Sequence, residues 1–505
     1  MFSRYLSNYF DIPAQAPTSN TEKGNKLSDT KTTLEKENKV LKNNWQPRQK
    51  YSRMSFHHQL AANEFLSEDE QISRQTKSLS LVLAHAEKQI PYYKDLFKNS
   101  GTSSQDINVS SDLTGLPVLT KFDIQNNADR LRAQTLPPGH THNNFTQSSG
   151  TTGRPTRVYQ TNQSNLMFTL LKQRELRWFR FNPMSSLASI RLPSQLPRHP
   201  EGKEIQMGET FRLQAWPYVG RYFQTGPYLC YSVINPVDDQ AVWLSQRQPD
   251  YLLTYSETLE HLAFAYKNKE TPGSIKALIA ISEQLTPGMR THIESKFSTP
   301  IFQNYGLNEA GIVAARCKEG GRYHVHTEHC MVEIVDDNGL ACSPGKTGKI
   351  VVTVFSNLAM PLIRYDTDDL AQAVEGPCPC GRTLPSFGEI EGRYSRIAFL
   401  PENTLALVGS IREALEKMPA ELSKNLRQFQ IHQFKDDSFE LRLFTPGGMN
   451  NNFPARIQSA WLKAIGNTQA RLNIIEVKEI PRGPGGKFQD FTSDYFPKSD
   501  REEPA

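Results

Sequence analysis

The chain has 505 residues, 37% hydrophobic and 22% charged, a composition typical of folded globular domains. This length predicts two or three domains, and the net charge of +5 is too small and too dispersed to indicate a nucleic-acid or anionic-membrane partner. The first residues lack the apolar core of a secretory signal, and no apolar run is long enough to span a bilayer. We therefore expect a cytoplasmic protein with no membrane and no nucleic acid among its partners, and the sequence leaves a homodimer open.

The first half of the chain predicts a polar tail followed by an α/β domain. Residues 1–50 are rich in Asn, Lys, Thr, Ser and Gln, which predicts a disordered or mobile tail. Apolar residues then follow helical spacing up to Pro91, and Thr120 is a candidate cap for a further helix. From residue 165 to residue 305, helical and strand-like segments alternate, which indicates an α/β domain with parallel strands.

The second half predicts an antiparallel β unit and a separate small domain. Short alternating strands with an Asp-Asn-Gly turn follow from "MVEIVDDNG" to "MPLIRYD". The last hundred residues carry two helical stretches among three strands, which predicts a small α+β domain. We therefore expect a tail over 1–50, a large domain over 51–391, a small domain over 392–490 and a polar tail over 491–505.

The stretch "SSGTTGRP", Ser148 to Pro155, combines glycines with four hydroxyls. Small residues let backbone N–H groups converge on an anion, so this loop is suited to polyphosphate. A flexible Ser/Gly linker is the alternative, and composition does not separate the two. Later motifs favour the phosphate loop. "NYGLNEAG" follows a predicted strand, "RYDTDDLA" offers a carboxylate for ribose hydroxyls, and "IPRGPGGKFQD" places a lysine on a glycine-rich loop.

In this order the motifs resemble the adenylate-forming superfamily of acyl-CoA synthetases and luciferases. Within that superfamily they more closely resemble the phenylacetate-CoA ligase family, which includes coenzyme F390 synthetase and capsule-cluster relatives. The family phrase Ser-Gly-Thr-Thr-Gly-x-Pro is matched at Ser149 to Pro155, and "LPVLTKFDI", "YHVHTEHCMVEIVD" and "CPCGRTLPSFGEIEGR" are similar to further phrases of that family. The resemblance covers about residues 80–490. It implies a large adenylate-forming domain, made of α/β subdomains plus a distorted β unit, with a small mobile α+β domain after it.

The resemblance also implies an ATP- and Mg²⁺-dependent ligase. Such an enzyme joins a carboxylic acid to AMP, releases pyrophosphate and passes the acyl group to a thiol, CoA being the candidate. An amine or hydroxyl acceptor, transfer of AMP itself, and a non-catalytic nucleotide-binding relative are the alternatives. The implied catalytic residues are Lys487, Arg393 and Thr152. The implied nucleotide-binding residues are Ser149, Gly150, Thr151, Thr152, Gly153, Glu283, Gln284, Tyr305, Gly306, Asn308, Asp369 and Arg393, with Glu309 as the Mg²⁺ ligand.

Within these implied roles, Tyr305 stacks on the base and Asp369 takes the ribose. Lys487 reaches the carboxylate and the α-phosphate, because anion attacking anion needs cations more than it needs a base.

The chain departs from the family pattern at several positions. Asn308 stands where Thr or Ser is usual, and Ser395 replaces the usual hinge aspartate. The ribose motif has Asp366 and Asp368 where Arg and Gly are usual. The added negative charge is expected to weaken nucleotide binding unless Arg364 or another cation offsets it. These departures favour the adenylation step over the thioester step.

A second group of residues has metal-ligand spacing. Cys378 and Cys380 are close enough in sequence to share a metal, and the turn after the β unit predicts that Cys317 and His324 join them in a structural Zn²⁺ site. His326 and His329 are rival nitrogen ligands. Reduced thiols with surface histidines are the alternative.

An aromatic-rich stretch, "WPYVGRYFQTGPYLCYSV", predicts the acid pocket between about residues 210 and 310. It suits an aromatic or other flat acid, although ordinary core packing accounts for it equally well. The aromatic residues are Trp216, Tyr218, Tyr222, Phe223, Tyr228 and Tyr231.

Overall fold

The computed structural model describes residues 49–107, 110–147, 156–393, 400–466, 469–482 and 488–495. In these ranges, four α-helices come before the first strand, four follow among the strands of the large domain, and three belong to the small domain. They are α1 (Gln49–Asn63), α2 (Glu68–Gln89), α3 (Pro91–Ser100), α4 (Lys121–Asn127), α5 (Asn162–Trp178), α6 (Val237–Arg247), α7 (Ser256–Ala265), α8 (Pro287–Phe297), α9 (Thr404–Glu416), α10 (Ala420–Ser423) and α11 (Phe453–Ala464).

The strands of the large domain form a two-stranded ribbon and one twelve-stranded sheet. The ribbon pairs β1 (His142–Gln147) with β2 (Arg157–Thr161). The large sheet contains β3 (Leu187–Arg191), β4 (Thr210–Leu213), β5 (Tyr228–Ser232), β6 (Tyr251–Tyr255), β7 (Ala277–Ile281), β8 (Ile301–Leu307), β9 (Gly311–Arg316), β10 (Tyr323–Val325), β11 (Cys330–Val335), β12 (Thr347–Val354), β13 (Tyr365–Ala373) and β14 (Ser386–Arg393). Its order is β11-β12-β13-β14-β10-β9-β8-β7-β6-β3-β5-β4.

This sheet changes from parallel to antiparallel within β8. Strands β5, β3, β6, β7 and β8 run parallel, and the first residues of β8 pair with β7. From Asn304 onward, β8 pairs antiparallel with β9, and antiparallel pairing continues to β11. The predicted α/β domain and antiparallel β unit are therefore both present, fused into one sheet. In α/β sheets, ligands bind beyond the carboxyl ends of the strands where the topology switches.

Local sequence explains where the helices begin. Ser67 caps α2 and Thr120 caps α4, each through a capping box with an acidic side chain three residues later. Pro91 begins α3 rather than interrupting it, since proline tolerates the first helical turn. Leu119, just before α4, forms an isolated parallel bridge with Tyr365. The start of α4 is thereby attached to β13.

The small domain packs helices α9 and α11 on a four-stranded sheet. Its strands are β15 (Gln428–Gln433), β16 (Phe439–Phe444), β17 (Leu472–Val477) and β18 (Phe491–Ser493), in the order β17-β16-β15-β18. The last strand pairs parallel with β15. It lies beyond residue 490, where we expected this domain to end. None of the described helices is long and apolar enough to cross a membrane.

Candidate nucleotide site and metal centre

The carboxyl end of β8 carries the candidate nucleotide residues of the "NYGLNEAG" motif. A Cβ at Gly306 would lie 2.8 Å from the carbonyl oxygen of Gly311, so this strand turn requires glycine. Asn308 is exposed, whereas Glu309 is only 9% exposed. The turn is anchored from behind by His329, whose Nε2 donates to the carbonyl of Ala310 at 2.6 Å. Glu309 is therefore presented by a fixed backbone.

Tyr305 and Asp369 lie next to each other in this site. The Tyr305 hydroxyl donates to Oδ2 of Asp369 at 2.8 Å, and Arg393 Nε is 3.7 Å from Oδ1 of Asp369. Asp369 and Arg393 are also direct partners across β13 and β14. Tyr305 is 7% exposed, with its ring edge-on to Phe387. The base stacking that the resemblance implies for Tyr305 stays a prediction.

Burial raises the pKa of Asp369 to about 6, although Arg393 and the Tyr305 hydroxyl both favour the ionised form. Asp368 and Asp366 reinforce the increase because their negative charges lie close by. A carboxylate in this setting titrates near neutral pH. It accepts hydrogen bonds from two vicinal hydroxyls when ionised and loses that capacity when protonated.

The two unusual aspartates of the ribose motif form a local turn. Asp368 has a φ of 66°, in the left-handed region that glycine adopts most readily. Its backbone N–H donates to Oδ1 of Asp366 at 2.8 Å. Aspartate is among the few residues that tolerate this backbone conformation. The carboxylate of Asp366 therefore supports the turn in which Asp368 replaces the usual glycine.

Arg364 is not the cation that offsets these acids. It is 2% exposed, with a φ of 51°, and its guanidinium donates to the carbonyls of Leu116 and Gly339 and pairs with Glu333. The expected offset through Arg364 is therefore ruled out by its contacts. Arg364 instead joins the β unit to the segment before α4.

Lys121 supplies a positive charge to the same site. It is the first residue of α4, and burial lowers the pKa of its ammonium while the nearby carboxylates of Glu309 and Asp368 raise it. Arg393 is close enough to oppose them. Lys121 therefore shares this site with the candidate magnesium ligand and the ribose motif. Sequence analysis missed it because it precedes Glu309 by more than half the length of the large domain.

The residues after β7 complete the site. Glu283 follows a residue of positive φ, Ser282, and its Oε2 accepts from the backbone N–H of Glu257 at 3.3 Å. The Gln284 amide donates to the carbonyl of Ile390 on β14 at 3.2 Å. The candidate adenine residues thus lie between β7 and the strand that ends at Arg393. Ser149, Gly150, Thr151, Thr152, Gly153, Ser395 and Lys487 fall outside the described residues.

The four candidate zinc ligands come together in the structure. One donor atom each from Cys317, His324, Cys378 and Cys380 lies within 4.8 Å of all the others. Sγ of Cys380 is 3.2 Å from Nε2 of His324, and Sγ of Cys317 is 3.5 Å from Sγ of Cys378. Nδ1 of His324 lies 3.2 Å from the carbonyl of Leu384, which fixes the proton on Nδ1 and leaves Nε2 as a donor for a metal.

The electrostatics of this cluster suit a cation. Burial lowers the pKa of His324 to about 4, so the imidazole is neutral at pH 7. Burial raises the pKa of Cys378 to about 12, and the neighbouring thiols add to that increase. Burial also acts to raise the pKa of Cys380, but hydrogen bonds from Arg382 and Cys378 outweigh it, and the net shift is downward. Grouped buried thiols gain most from a metal that binds them as thiolates.

The absence of a side chain at Gly320 leaves space for two of these sulfur atoms. A Cβ at Gly320 would lie 2.3 Å from Sγ of Cys378 and 3.5 Å from Sγ of Cys317. Neither rival histidine takes part. Nδ1 of His326 lies 3.2 Å from Arg174, and both ring nitrogens of His329 bond to Ser356 and Ala310. The structure therefore selects His324 among the three histidines.

The aromatic-rich stretch is largely core. Trp216, Tyr228 and Tyr231 are at most 5% exposed, and Tyr231 stacks on Trp243 with ring centroids 4.8 Å apart. The Trp216 indole donates to the carbonyl of Ser185 at 3.0 Å. Tyr218 and Phe223 lie at the surface, 48% and 37% exposed. This distribution favours core packing over an acid pocket as the reason for the aromatic density.

Comparison with known proteins shows which proteins the chain is similar to. No protein-family model matches the chain. Curated phenylacetate-coenzyme A ligases do match. The Thermus thermophilus protein is 24% identical over 331 residues, covering 63% of this chain and 69% of the relative. The Escherichia coli protein is 25% identical over 341 residues, covering 65% and 72%. The Pseudomonas putida protein is 23% identical over 391 residues, covering 75% and 82%.

The chain is similar in sequence to these phenylacetate-coenzyme A ligases. Its fold is also that of 2-hydroxyisobutyryl-CoA ligase. A crystal structure of that enzyme in the postadenylation state superposes with a TM-score of 0.66 at 16% identity, covering 86% of this chain and 91% of the other. The same ligase in the thioesterification state superposes with a TM-score of 0.54. The expected fold, a large α/β domain followed by a small α+β domain, is thereby confirmed.

Proposed function

We propose that this chain is an ATP- and Mg²⁺-dependent ligase that activates a carboxylic acid as an acyl-adenylate, releases pyrophosphate and transfers the acyl group to CoA. The observation that carries this proposal is the contact among Tyr305, Asp369 and Arg393 beside Glu309, at the point where the sheet changes topology. The homology to CoA ligases and the shared fold support it.

The residues at this point match the electrostatic demands of adenylation. The acid and the α-phosphate are both anionic, so their approach needs positive charge and a metal ion. Glu309 offers an oxygen ligand suited to Mg²⁺, and Lys121 and Arg393 add positive charge beside it. We assign the phosphates to the loop from Ser149 to Gly153 on sequence alone.

Lys487 provides the decisive variant. We expect acid-dependent exchange of labelled pyrophosphate into ATP by the wild type, and loss of most of that exchange in Lys487→Ala with ATP binding retained. Lys478→Ala, which removes an exposed lysine from the same segment, is the matched control. Wild-type exchange in Lys487→Ala would refute the role of Lys487, and no exchange by the wild type with any acid would refute the proposed reaction.

The acid and the acceptor are open to direct tests. Because the relatives are phenylacetate-coenzyme A ligases, we propose arylacetic and other aromatic acids as the first substrates to test. A thioester formed from acid, ATP and CoA supports the CoA assignment. Product that forms with hydroxylamine and not with CoA would assign a different acceptor.

We further propose that Cys317, His324, Cys378 and Cys380 hold one structural Zn²⁺. The support is a closed set of four donors with a fixed histidine tautomer and a glycine that makes room for the sulfurs. Metal analysis of protein purified without chelator is expected to give about one zinc per chain. Absence of zinc from such protein would refute the site.

A further inference from the structure

Two arginines of the small domain pair with acids of the large domain across the interface between the domains. From the small domain, Arg412 pairs with Glu260 at 3.1 Å and 3.2 Å, and Arg427 donates to both oxygens of Asp238 at 2.8 Å. Both acids belong to the large domain. Glu260 is almost fully buried, and Arg412 is only 11% exposed. Ion pairs shielded in this way are screened by salt much less than pairs at a free surface.

A third arginine of the small domain reaches the candidate nucleotide site. Nη2 of Arg482 donates to the carbonyl of Val233, just beyond β5, at 3.0 Å. Burial acts to lower the pKa of Arg482, and the carboxylates of Glu283 and Glu257 oppose it because both lie close to the guanidinium. We call Arg412, Arg427 and Arg482 the arginine dock. Only Arg482 of these three approaches a residue that we assign to the nucleotide.

The carboxylates of Glu257 and Glu283 repel each other when no cation lies near them. The backbone N–H of Glu257 donates to Oε2 of Glu283, so the two carboxylates lie close together. Oε2 of Glu257 is buried and has no hydrogen-bond partner among the described residues. Burial and the charge of Glu283 raise the pKa of Glu257 well above its ordinary value. The positive charges of Arg412 and Arg482 oppose this rise, since both guanidinium groups lie near Glu257.

We propose that Arg482 is a positioning residue for adenylation, which docks beside Glu257 and Glu283 and so holds the small domain in the arrangement that serves this half-reaction. This inference rests on the proposed function. Lys487 follows Arg482 by only five positions in the sequence. The bond from Arg482 to the carbonyl of Val233 therefore fixes a point of the small domain that is close in sequence to Lys487. We expect the thioester half-reaction to proceed without this contact.

The test separates the two half-reactions. Adenylation is measured by acid-dependent pyrophosphate exchange, and thioester formation by supplying a synthetic acyl-adenylate with CoA. Arg482→Ala is expected to lower the kcat of exchange by about 10- to 100-fold, with the KM for ATP changed less than about threefold, and to leave thioester formation from the supplied adenylate within twofold of wild type. Arg482→Lys should recover part of the loss, because it restores the charge but not the planar donor pair.

Two controls make the interpretation specific. Arg456→Ala removes an exposed arginine from α11 of the same domain and should change neither half-reaction. Glu257→Gln should alter exchange in the wild-type background and have little effect once Arg482 is alanine, since the pair acts as one unit. Equal losses in both half-reactions, or additive effects in the double variant, would overturn the proposal.

Small-angle scattering supplies a readout that does not depend on turnover. Arg482→Ala should increase the radius of gyration of the nucleotide-free protein, and Arg456→Ala should not. An unchanged radius in Arg482→Ala would overturn the docking role. Failure of the proposed function is recognised separately, by the absence of exchange in the wild type with every acid in the panel.

Discussion

Gly320→Ala tests the zinc site through its geometry. The new Cβ would lie 2.3 Å from Sγ of Cys378, whereas ordinary contact begins at 3.4 Å, so the sulfur or the Gly320 backbone must move by about 1 Å. Metal–sulfur distances tolerate only about 0.2 Å. Overpacking of this kind costs about 1–3 kcal/mol, which corresponds to a loss of about fivefold to 150-fold in zinc affinity.

The assay is competition for zinc between the protein and a chromophoric chelator, combined with thermal unfolding. Gly320→Ala should release zinc at a lower chelator concentration and unfold at a lower temperature than the wild type. Gly273→Ala is the matched control, since its Cβ would have no neighbour within 4 Å and its backbone is not in the left-handed region. Zinc affinity equal to that of the wild type in Gly320→Ala would refute the steric reasoning.

Three further predictions concern the candidate nucleotide site. Asp369→Asn should raise the KM for ATP about tenfold or more. The wild-type KM should itself rise as the pH falls below about 6, because Asp369 then becomes protonated. Because the pKa of Asp369 is higher in the folded than in the unfolded protein, its protonated form stabilises the fold. This contribution is lost as the pH rises through about 6. Above that pH, Asp369→Asn should unfold at a higher temperature than the wild type, and a lower temperature would refute this sign. Tyr305→Phe removes a hydrogen bond that favours the ionised carboxylate, so the acid limb of the ATP KM profile should move to higher pH, and an unmoved limb would refute the coupling. Lys121→Met should raise the KM for ATP severalfold, whereas Lys98→Met, at an exposed lysine of α3, should not; equal effects would refute a local role for Lys121.

Features set by neighbours in the chain could be predicted from the sequence. The capping of α4 by Thr120 and the alternation of strands and helices follow from local spacing and capping chemistry. One contact between distant segments was also predicted, the grouping of Cys378 and Cys380 with Cys317 and His324, because cysteines at metal-ligand spacing indicate a metal site.

Features that depend on contacts between distant segments could not be predicted. Arg364 was a candidate to offset the ribose-motif acids, but its guanidinium is occupied by the segment before α4. Lys121 and Arg482 reach the candidate nucleotide site from other parts of the chain, and neither stands in a pattern that predicts this. The aromatic-rich stretch was expected to form the acid pocket, but most of it packs in the core. Aromatic residues in a core and in a pocket have the same sequence signature.

The turn formed by Asp366 and Asp368 makes the residues at these two positions depend on each other. A carboxylate at position 366 can accept the N–H of residue 368 whatever side chain that residue carries, because the bond is to backbone. Replacing glycine at position 368, by contrast, puts a side chain at a φ of 66° and needs local support. Replacing Asp366 alone should therefore destabilise the turn more than replacing Asp366 together with Asp368→Gly, because glycine adopts this backbone conformation without support.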